Sequence, residues 1–250
     1  MNLSVLHLQT GGGQAPFYFR NDSIGDNGVI QQIFQNRDYD FSMWQQGKRL
    51  LEHHREQTKS GRSLIIDAGA NIGASVVYFL ETFDSSIVYA IEPDKANFEI
   101  LEMNTRRFTN RINFHGAISS TDGELALEDP GHSDWGFRTK PIADDKTPGR
   151  NVVRSISPAT ILGDPRLAGA IPLIFKIDIE GAESDLFSGD TSWMAKFPLL
   201  IIELHDWLLP FSGSSRNFFG AVAKHDFDFL YRGENIFLFS RPILAPDSTV

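Results

Sequence analysis

The chain has 250 residues, 41% of them hydrophobic and 12% aromatic, enough to bury one sizeable core without a second domain. A net charge of −9 argues against nucleic acid or an anionic membrane as the main partner, because counterion release needs clustered lysine and arginine. The absence of cysteine excludes disulfides, thiolate metal sites and a cysteine nucleophile, and leaves a soluble small-molecule or glycan enzyme as the expectation.

In chain order, Met1 to Leu8 lacks a basic leader and a long apolar run, so no signal peptide is expected, and with it a cytoplasmic location. The longest apolar run, near Leu199 to Ile202, is too short to span a bilayer. Phe17 to Phe19 reads as a short strand between turns, Val29 to Phe34 has helical spacing, and Asp40 is placed to cap a helix running through Trp44, Leu50 and Leu51. Residues 1–60 are expected either as a lid on the acceptor side or as an extension packed on the sheet edge.

From Leu64 the pattern alternates strand and helix, as a parallel sheet with crossover helices requires. Leu64 to Ile66 is a buried strand, and Val76, Val77, Phe79 and Leu80 begin a helix after a glycine-rich turn. Such a turn gathers free N–H groups at the positive end of the helix dipole. A dinucleotide fingerprint would need glycine at 69, 71 and 74; the residues are Gly69, Asn71 and Ala74, so a side chain stands where a pyrophosphate must approach. Asp67 would repel phosphate and attract an ammonium group, which favours S-adenosylmethionine, whose methionyl end carries an ammonium and a carboxylate. Ile87 to Pro93 is a second strand ending in an acid about 25 residues on, the interval of a ribose-binding carboxylate, so Glu92 is expected to accept both ribose hydroxyls. Helix capping is the plain alternative for both acids.

Asp94 should begin a helix carrying Phe98, Leu101 and Phe108 on its core face, and Ile112 to Ile118 reads as a third strand whose end, His115 to Ile118 with Ala117, lies beside the adenine. His115 reads as a packing or adenine-edge residue more than as a base. Between 119 and 170, Gly123 to Leu127, Gly136 to Lys140 and Asn151 to Ser155 suggest an inserted hairpin region; Asp144 and Asp145 read as solvated, and Trp135 as a ligand cover or a hairpin-packing residue. Leu173 to Ile179 and Leu199 to His205 are the next strands, Phe218 to Ala223 suggests a helix, and Phe227 to Tyr231 with Ile236 to Phe239 a hairpin across Gly233. Residues 61–242 thus form one domain, with 243–250 as a loose tail.

Three motifs, Ile66 to Gly73, Glu92-Pro93 with Asn97, Leu101 and Asn104, and Lys176 to Glu183, resemble the FkbM-type S-adenosylmethionine-dependent methyltransferases over roughly residues 60–210. The resemblance implies an α/β, Rossmann-like class I methyltransferase fold: a mostly parallel seven-stranded sheet with an antiparallel C-terminal hairpin and helices on both faces. It also implies S-adenosylmethionine as cofactor, held by Asp67, Gly69, Asn71, Gly73, Glu92, Pro93, Asn97, Ala117 and Asp178, and a hydroxyl acceptor on a sugar, polyketide or similar small molecule.

A hydroxyl acceptor must lose a proton as the methyl arrives in line, which calls for a base. Asp178, Glu180, Glu203, His205 and Asp206 stand at the ends of the two strands facing the methyl; Glu180 and His205 are the candidates for acceptor binding or proton removal, with Asp178 shaping the methionyl end. Lys176 is expected to pair with one of these acids, or else to snorkel from an edge. The family motifs imply no metal, so metal-free transfer ranks ahead of a metal-dependent, catechol-type reaction using the same cluster. A nicotinamide oxidoreductase, weakened by Asn71, and a non-catalytic S-adenosylmethionine-binding homologue are the remaining readings.

Overall fold

A computed structural model of the chain describes residues 3–128, 138–141 and 151–245; Trp135, Asp144 and Asp145 lie outside them. The chain opens with a hairpin, β1 (Ser4–Thr10) and β2 (Gly13–Phe19), followed by α1 (Ile24–Ile30), a π-helical turn (Gln31–Gln35) and α2 (Gln45–Gln57). Then come β3 (Arg62–Ala68), α3 (Ala74–Thr82), β4 (Ser86–Glu92), α4 (Lys95–Thr105) and β5 (Arg111–His115). A short strand β6 (Ala117–Ile118), β7 (Gly123–Glu128), β8 (Arg138–Pro141), β9 (Asn151–Ile156) and α5 (Pro158–Leu162) follow. The last part holds β10 (Ala170–Ile177), α6 (Glu183–Leu186), β11 (Leu199–Glu203), α7 (Arg216–Val222), β12 (Phe227–Arg232), β13 (Asn235–Ser240) and α8 (Arg241–Leu244).

The main sheet has seven strands in the order β12-β13-β11-β10-β3-β4-β5. β5, β4, β3, β10 and β11 pair in parallel, while β13 runs antiparallel both to β11 and to β12. This is the α/β, Rossmann-like arrangement of class I methyltransferases, with one strand reversed near the C-terminus. Parallel strands are buried on both faces and so read as unbroken apolar runs. Here alternate residues part cleanly: Ile65, Val88, Ile174, Ile201 and Phe237 enter one apolar cluster, and Leu64, Ile66, Tyr89, Phe175, Ile202 and Leu238 the other.

The first cluster is covered by α3 and α4 together with Phe17, Ile30, Ile33, Tyr39, Phe41 and Leu50. The first sixty residues therefore lie across a face of the sheet, from Tyr18 on α4 to Gln46, whose amide donates to Asp228 on β12 (2.7 Å). The second cluster is covered from the other side by Ile161, Leu186, Trp193, Phe197 and Phe218. No helix among the described residues is long and apolar enough to cross a membrane.

Several elements differ from the sequence expectation. The strand expected through Ile118 breaks at Gly116, where an added Cβ would stand 2.5 Å from the Arg154 carbonyl oxygen. The chain leaves the main sheet there, and Ala117–Ile118 pairs with Ser155–Ile156 in a second sheet of order β6-β9-β7-β8. The inserted region is thus a small four-stranded sheet containing the expected hairpin. Asp40 does not cap a helix: its carboxylate accepts from the Ser42 N–H (3.0 Å) and hydroxyl (2.6 Å), and α2 starts later, at Gln45, with Trp44 as its cap residue. β1, which sequence reading missed, alternates half-buried and exposed residues. Asp94 does cap α4, accepting from the Asn97 N–H at 2.8 Å.

Candidate active site

The carboxyl ends of β3, β4, β10 and β11 converge on one cleft, where the strand order reverses direction away from β3. The β3–α3 turn forms its floor. Gly69, Asn71 and Gly73 all have left-handed backbones, with φ of +80°, +47° and +90°. Gly69 can only be glycine, because a Cβ would lie 1.7 Å from the Asp178 carbonyl oxygen. Gly73 precedes α3 and packs against Leu101, leaving 2.8 Å to the leucine methyl for any added Cβ. Asn71 tolerates the left-handed region because its Oδ1 accepts from the Ile72 N–H at 2.7 Å. The turn is pinned to β4 by the Gly69 and Ala70 N–H groups, both donating to the Ile91 carbonyl at 3.0 Å.

Glu92 ends β4 just before Pro93 and is buried. Its Oε2 accepts from the Asn71 N–H (2.8 Å) and its Oε1 from the Asp94 N–H (2.9 Å), so the acid ties the turn to the start of α4. Burial pushes its pKa up to about 7, against the lowering effect of those two bonds and of a side-chain hydrogen bond from Asn97. With three bonds already on its two oxygens, the carboxylate keeps one further acceptor position for a ligand. Asn97 and Asn104 reach outward from α4 to the N-terminal segment. Asn97 Oδ1 accepts from Arg20 (2.6 Å), which also forks onto Asp26 through Nε (3.0 Å) and Nη2 (2.6 Å). Asn104 accepts from the Tyr18 N–H (2.6 Å) and donates to the carbonyls of Tyr18 (2.9 Å) and Ile72 (2.8 Å). These asparagines bolt the hairpin to the glycine turn, a long-range role that spacing within α4 does not reveal.

Asp67 was expected to meet a ligand ammonium; the ammonium it meets is Lys176. Both are buried, Nζ lies 3.2 Å from Asp67 Oδ1 and 3.4 Å from Asp178 Oδ2, and it donates to the Gly69 carbonyl at 2.7 Å. The expected pairing of Lys176 with an acid of this cluster is what the strand register delivers, since Lys176 stands beside Asp67 across β10 and β3. Burial works against the ammonium, but Asp67, Tyr39 and Asp178 outweigh it and hold the Lys176 pKa well above its ordinary value. Tyr39, Val29, Gln32 and Ile33 line the cleft opposite the turn, alongside Lys176 and Asp178. Sequence reading allowed this segment a place over the site, as a lid, without naming these residues.

The acidic end of the cleft is built around His205, which is 1% exposed. Its Nδ1 meets Glu183 Oε1 at 2.8 Å. Its Nε2 faces Glu180 Oε2 at 3.5 Å and Asp178 Oδ1 and Glu203 Oε1 at 3.6 Å each, all beyond hydrogen-bond length. Burial opposes charge on the ring, yet the Glu183 bond and the nearby Asp178, Glu183 and Glu180 carboxylates push its pKa up to about 9. Burial first, and then the Asp178 charge, raises the pKa of both Glu180 and Glu203. With no cation among these carboxylates the charged ring is favoured, which argues for Glu180 ahead of His205 as the base. Glu180 is delivered by a tight turn: it and Gly181 have φ of +52° and +94°, which folds the chain back after β10.

Asp206, expected in this cluster, turns away and accepts from the Ser214 hydroxyl (3.1 Å) and the Ser215 N–H (3.4 Å). Ala117 is buried with Leu125, Leu127 and Val153 in the core of the second sheet. His115 is exposed, its ring 4.9 Å from that of Phe98, in keeping with a packing role. Glu183 carried no signal of its role, because its partner lies 22 positions away.

Among known proteins, hexuronic acid methyltransferase AglP from Haloferax volcanii is 25% identical over 203 residues, 79% of this chain and 78% of that one. A methyltransferase structure from Geobacter sulfurreducens aligns with 88% of this chain and 91% of its own, at 14% identity and a TM-score of 0.37. That of M. jannaschii TYW2 in complex with AdoMet aligns with 95% of this chain and 84% of its own, at 12% identity and a TM-score of 0.36. Structural likenesses this distant carry no argument, and the fold rests on the strand order itself. The model of the methyltransferase FkbM domain, by contrast, matches residues 67–232, the stretch that holds the glycine turn, Glu92 and the acidic cluster, and the chain belongs to that family.

Proposed function

We propose that the chain transfers a methyl group from S-adenosylmethionine to a hydroxyl of a sugar or a similar small molecule. The observation that carries this reading is that a phosphate-averse glycine turn backed by Glu92 is joined, through Asp178, to a set of carboxyl groups at the ends of β10 and β11. The N–H groups of the turn itself are bonded within the protein, and it is the α3 N-terminus that suits the methionyl carboxylate. The remaining acceptor position of Glu92 suits a ribose hydroxyl, and Asp178 stands between the turn and the acidic cluster. In the reaction the acceptor oxygen bonds to the methyl carbon, the carbon–sulfur bond breaks, and its electron pair returns the sulfonium to a neutral thioether. The hydroxyl proton goes to Glu180, which is half-buried and whose raised pKa suits a base working near neutrality.

The likeness to a hexuronic acid methyltransferase supports a sugar as acceptor. Nicotinamide chemistry is disfavoured by Asn71, whose left-handed backbone and side chain occupy the position that a pyrophosphate would approach. Incubation with methyl-labelled S-adenosylmethionine and a panel of uronic acid glycosides, neutral sugars, polyketide alcohols and catechols tests the reading. Label in an alkali-stable ether on a sugar hydroxyl is expected; transfer only to nitrogen or carbon acceptors would overturn it.

A further inference from the structure

We propose that Asp178, Glu203 and His205 bind a hard divalent cation, Mg²⁺ or Mn²⁺, contrary to the metal-free expectation from sequence. One ligand atom from each lies within 4.8 Å of the others. Both carboxylate oxygens stand 3.6 Å from His205 Nε2. Ligands at right angles around an ion with bonds of about 2.1 Å stand about 3 Å apart. The two distances to Nε2 exceed this by roughly half an ångström and the set as a whole spans no more than 4.8 Å, so binding would draw the three groups inward.

Two further observations separate this set from a mere gathering of acids. The first is the way His205 is held. Glu183 is fully buried, grips Nδ1 at 2.8 Å, and leaves Nε2 aimed into the cluster with no hydrogen bond of its own; the cation takes the place of the Nε2 proton, which is released to solvent as the ion binds. A carboxylate fixing one ring nitrogen so that the other can ligate is the usual support of a metal-bound imidazole. The second is Glu203, nine-tenths buried at the end of β11, whose carboxylate accepts no hydrogen bond among the described residues and is directed at Nε2. A buried acid with no donor at hydrogen-bond length must hold a proton or be met by a cation, and a metal ion would meet Glu203 and Asp178 together. Lys176, the one lysine at the site among the described residues, is taken by Asp67, the Gly69 carbonyl and the far oxygen of Asp178, which leaves Asp178 Oδ1 toward the cluster. One imidazole with carboxylates suits Mn²⁺ and Mg²⁺ better than softer ions that favour thiolate.

Binding of the cation stands by itself. Its part in catalysis rests on the methyl-transfer reading: the ion would take the acceptor oxygen into its open positions and ease loss of the hydroxyl proton to Glu180.

The test is titration of the full chain with Mn²⁺, following free Mn²⁺ by electron paramagnetic resonance, alongside calorimetric titration with S-adenosylhomocysteine in EDTA. One Mn²⁺ per chain is expected, displaced by Mg²⁺, with affinity at least tenfold weaker in Glu203→Gln and 10–100-fold weaker in Glu183→Gln, where only the support of the ring is altered. Should Glu203→Gln fail to fold, Glu203→Asp, which withdraws the oxygen by one methylene, is expected to show the same loss. Absence of stoichiometric Mn²⁺ binding to the wild type, or affinity unchanged in the folded Glu203 and Glu183 variants, would overturn the proposal. A chain that binds S-adenosylhomocysteine but no Mn²⁺ refutes the metal site alone; one that binds Mn²⁺ but no S-adenosylhomocysteine refutes the cofactor reading alone.

Discussion

Replacing Lys176 with methionine keeps most of the side-chain volume and removes the charge, which makes it a sharp probe of how the cleft is held together. Lys176 is 2% exposed and Asp67 is fully buried, with 3.2 Å between Nζ and the carboxylate, so the lysine is the counter-charge of an acid that water cannot reach. Removing one partner of such a buried pair costs about 3–5 kcal/mol, because the other charge is stranded. In a chain of this size 1 kcal/mol corresponds to about 2–4 °C, so Lys176→Met should lower the melting temperature by about 6–20 °C. The double variant Asp67→Asn/Lys176→Met should regain much of the loss, with a coupling of about 0.5–3 kcal/mol, since no charge is left stranded. Urea and thermal unfolding of the four proteins of the cycle measure this. A single variant within about 1 kcal/mol of wild type, well short of that range, or a double variant no more stable than Lys176→Met, would refute the idea that Asp67 is held as a buried carboxylate by Lys176.

Glu92→Ala should weaken S-adenosylhomocysteine binding at least about tenfold through loss of a charge-assisted bond to the ribose; unchanged affinity in the folded variant refutes the ribose assignment. Because burial raises the Glu92 pKa to about 7, wild-type affinity should fall as pH drops below that value. The acid's contribution to stability without ligand runs the other way, declining from the ordinary glutamate range up to about pH 7, since the folded chain holds the proton more tightly than the unfolded one. Glu180→Gln should slow the single-turnover rate by roughly 10²–10⁴-fold with S-adenosylhomocysteine affinity unaltered, and a rate within about threefold of wild type would remove Glu180 as the base. Asn104→Leu leaves the Tyr18 N–H and carbonyl and the Ile72 carbonyl without partners; at about 1–3 kcal/mol for each buried group left unsatisfied, a loss of about 2–5 kcal/mol is expected once water reaches half-buried Tyr18. It should be accompanied by faster amide exchange in β2, and protection equal to wild type there would show that the asparagine does not anchor the hairpin.

The parallel core was legible because its strands are short, mostly apolar runs that end in an acid: Leu64 to Asp67, Ile87 to Glu92, Leu173 to Asp178 and Leu199 to Glu203. Their parallel pairing followed from the alternation of strand and helix, and the antiparallel hairpin from the family resemblance. What escaped was decided by contacts between distant segments. Nothing in the apolar run Ile112 to Ile118 marks the break at Gly116, which is forced by the carbonyl of Arg154 in a strand 38 residues on. Asp40 has the chemistry of a helix cap, but Ser42 two residues later offers a closer partner, and the helix waits for Gln45. At the site, the acids at strand ends were visible as types, while their pairings were not. Asp67 looked free for a ligand until the register of β3 and β10 set Lys176 beside it, and His205 looked like a base until Glu183 and three further carboxylates surrounded it.

Isothermal titration of the full chain with S-adenosylhomocysteine and, separately, with NAD tests the assignment of the glycine turn and Glu92 most directly. Saturable binding of one S-adenosylhomocysteine per chain, lost or strongly weakened in Glu92→Ala, with no heat from NAD, is the expected result. Binding of NAD without binding of S-adenosylhomocysteine would contradict it.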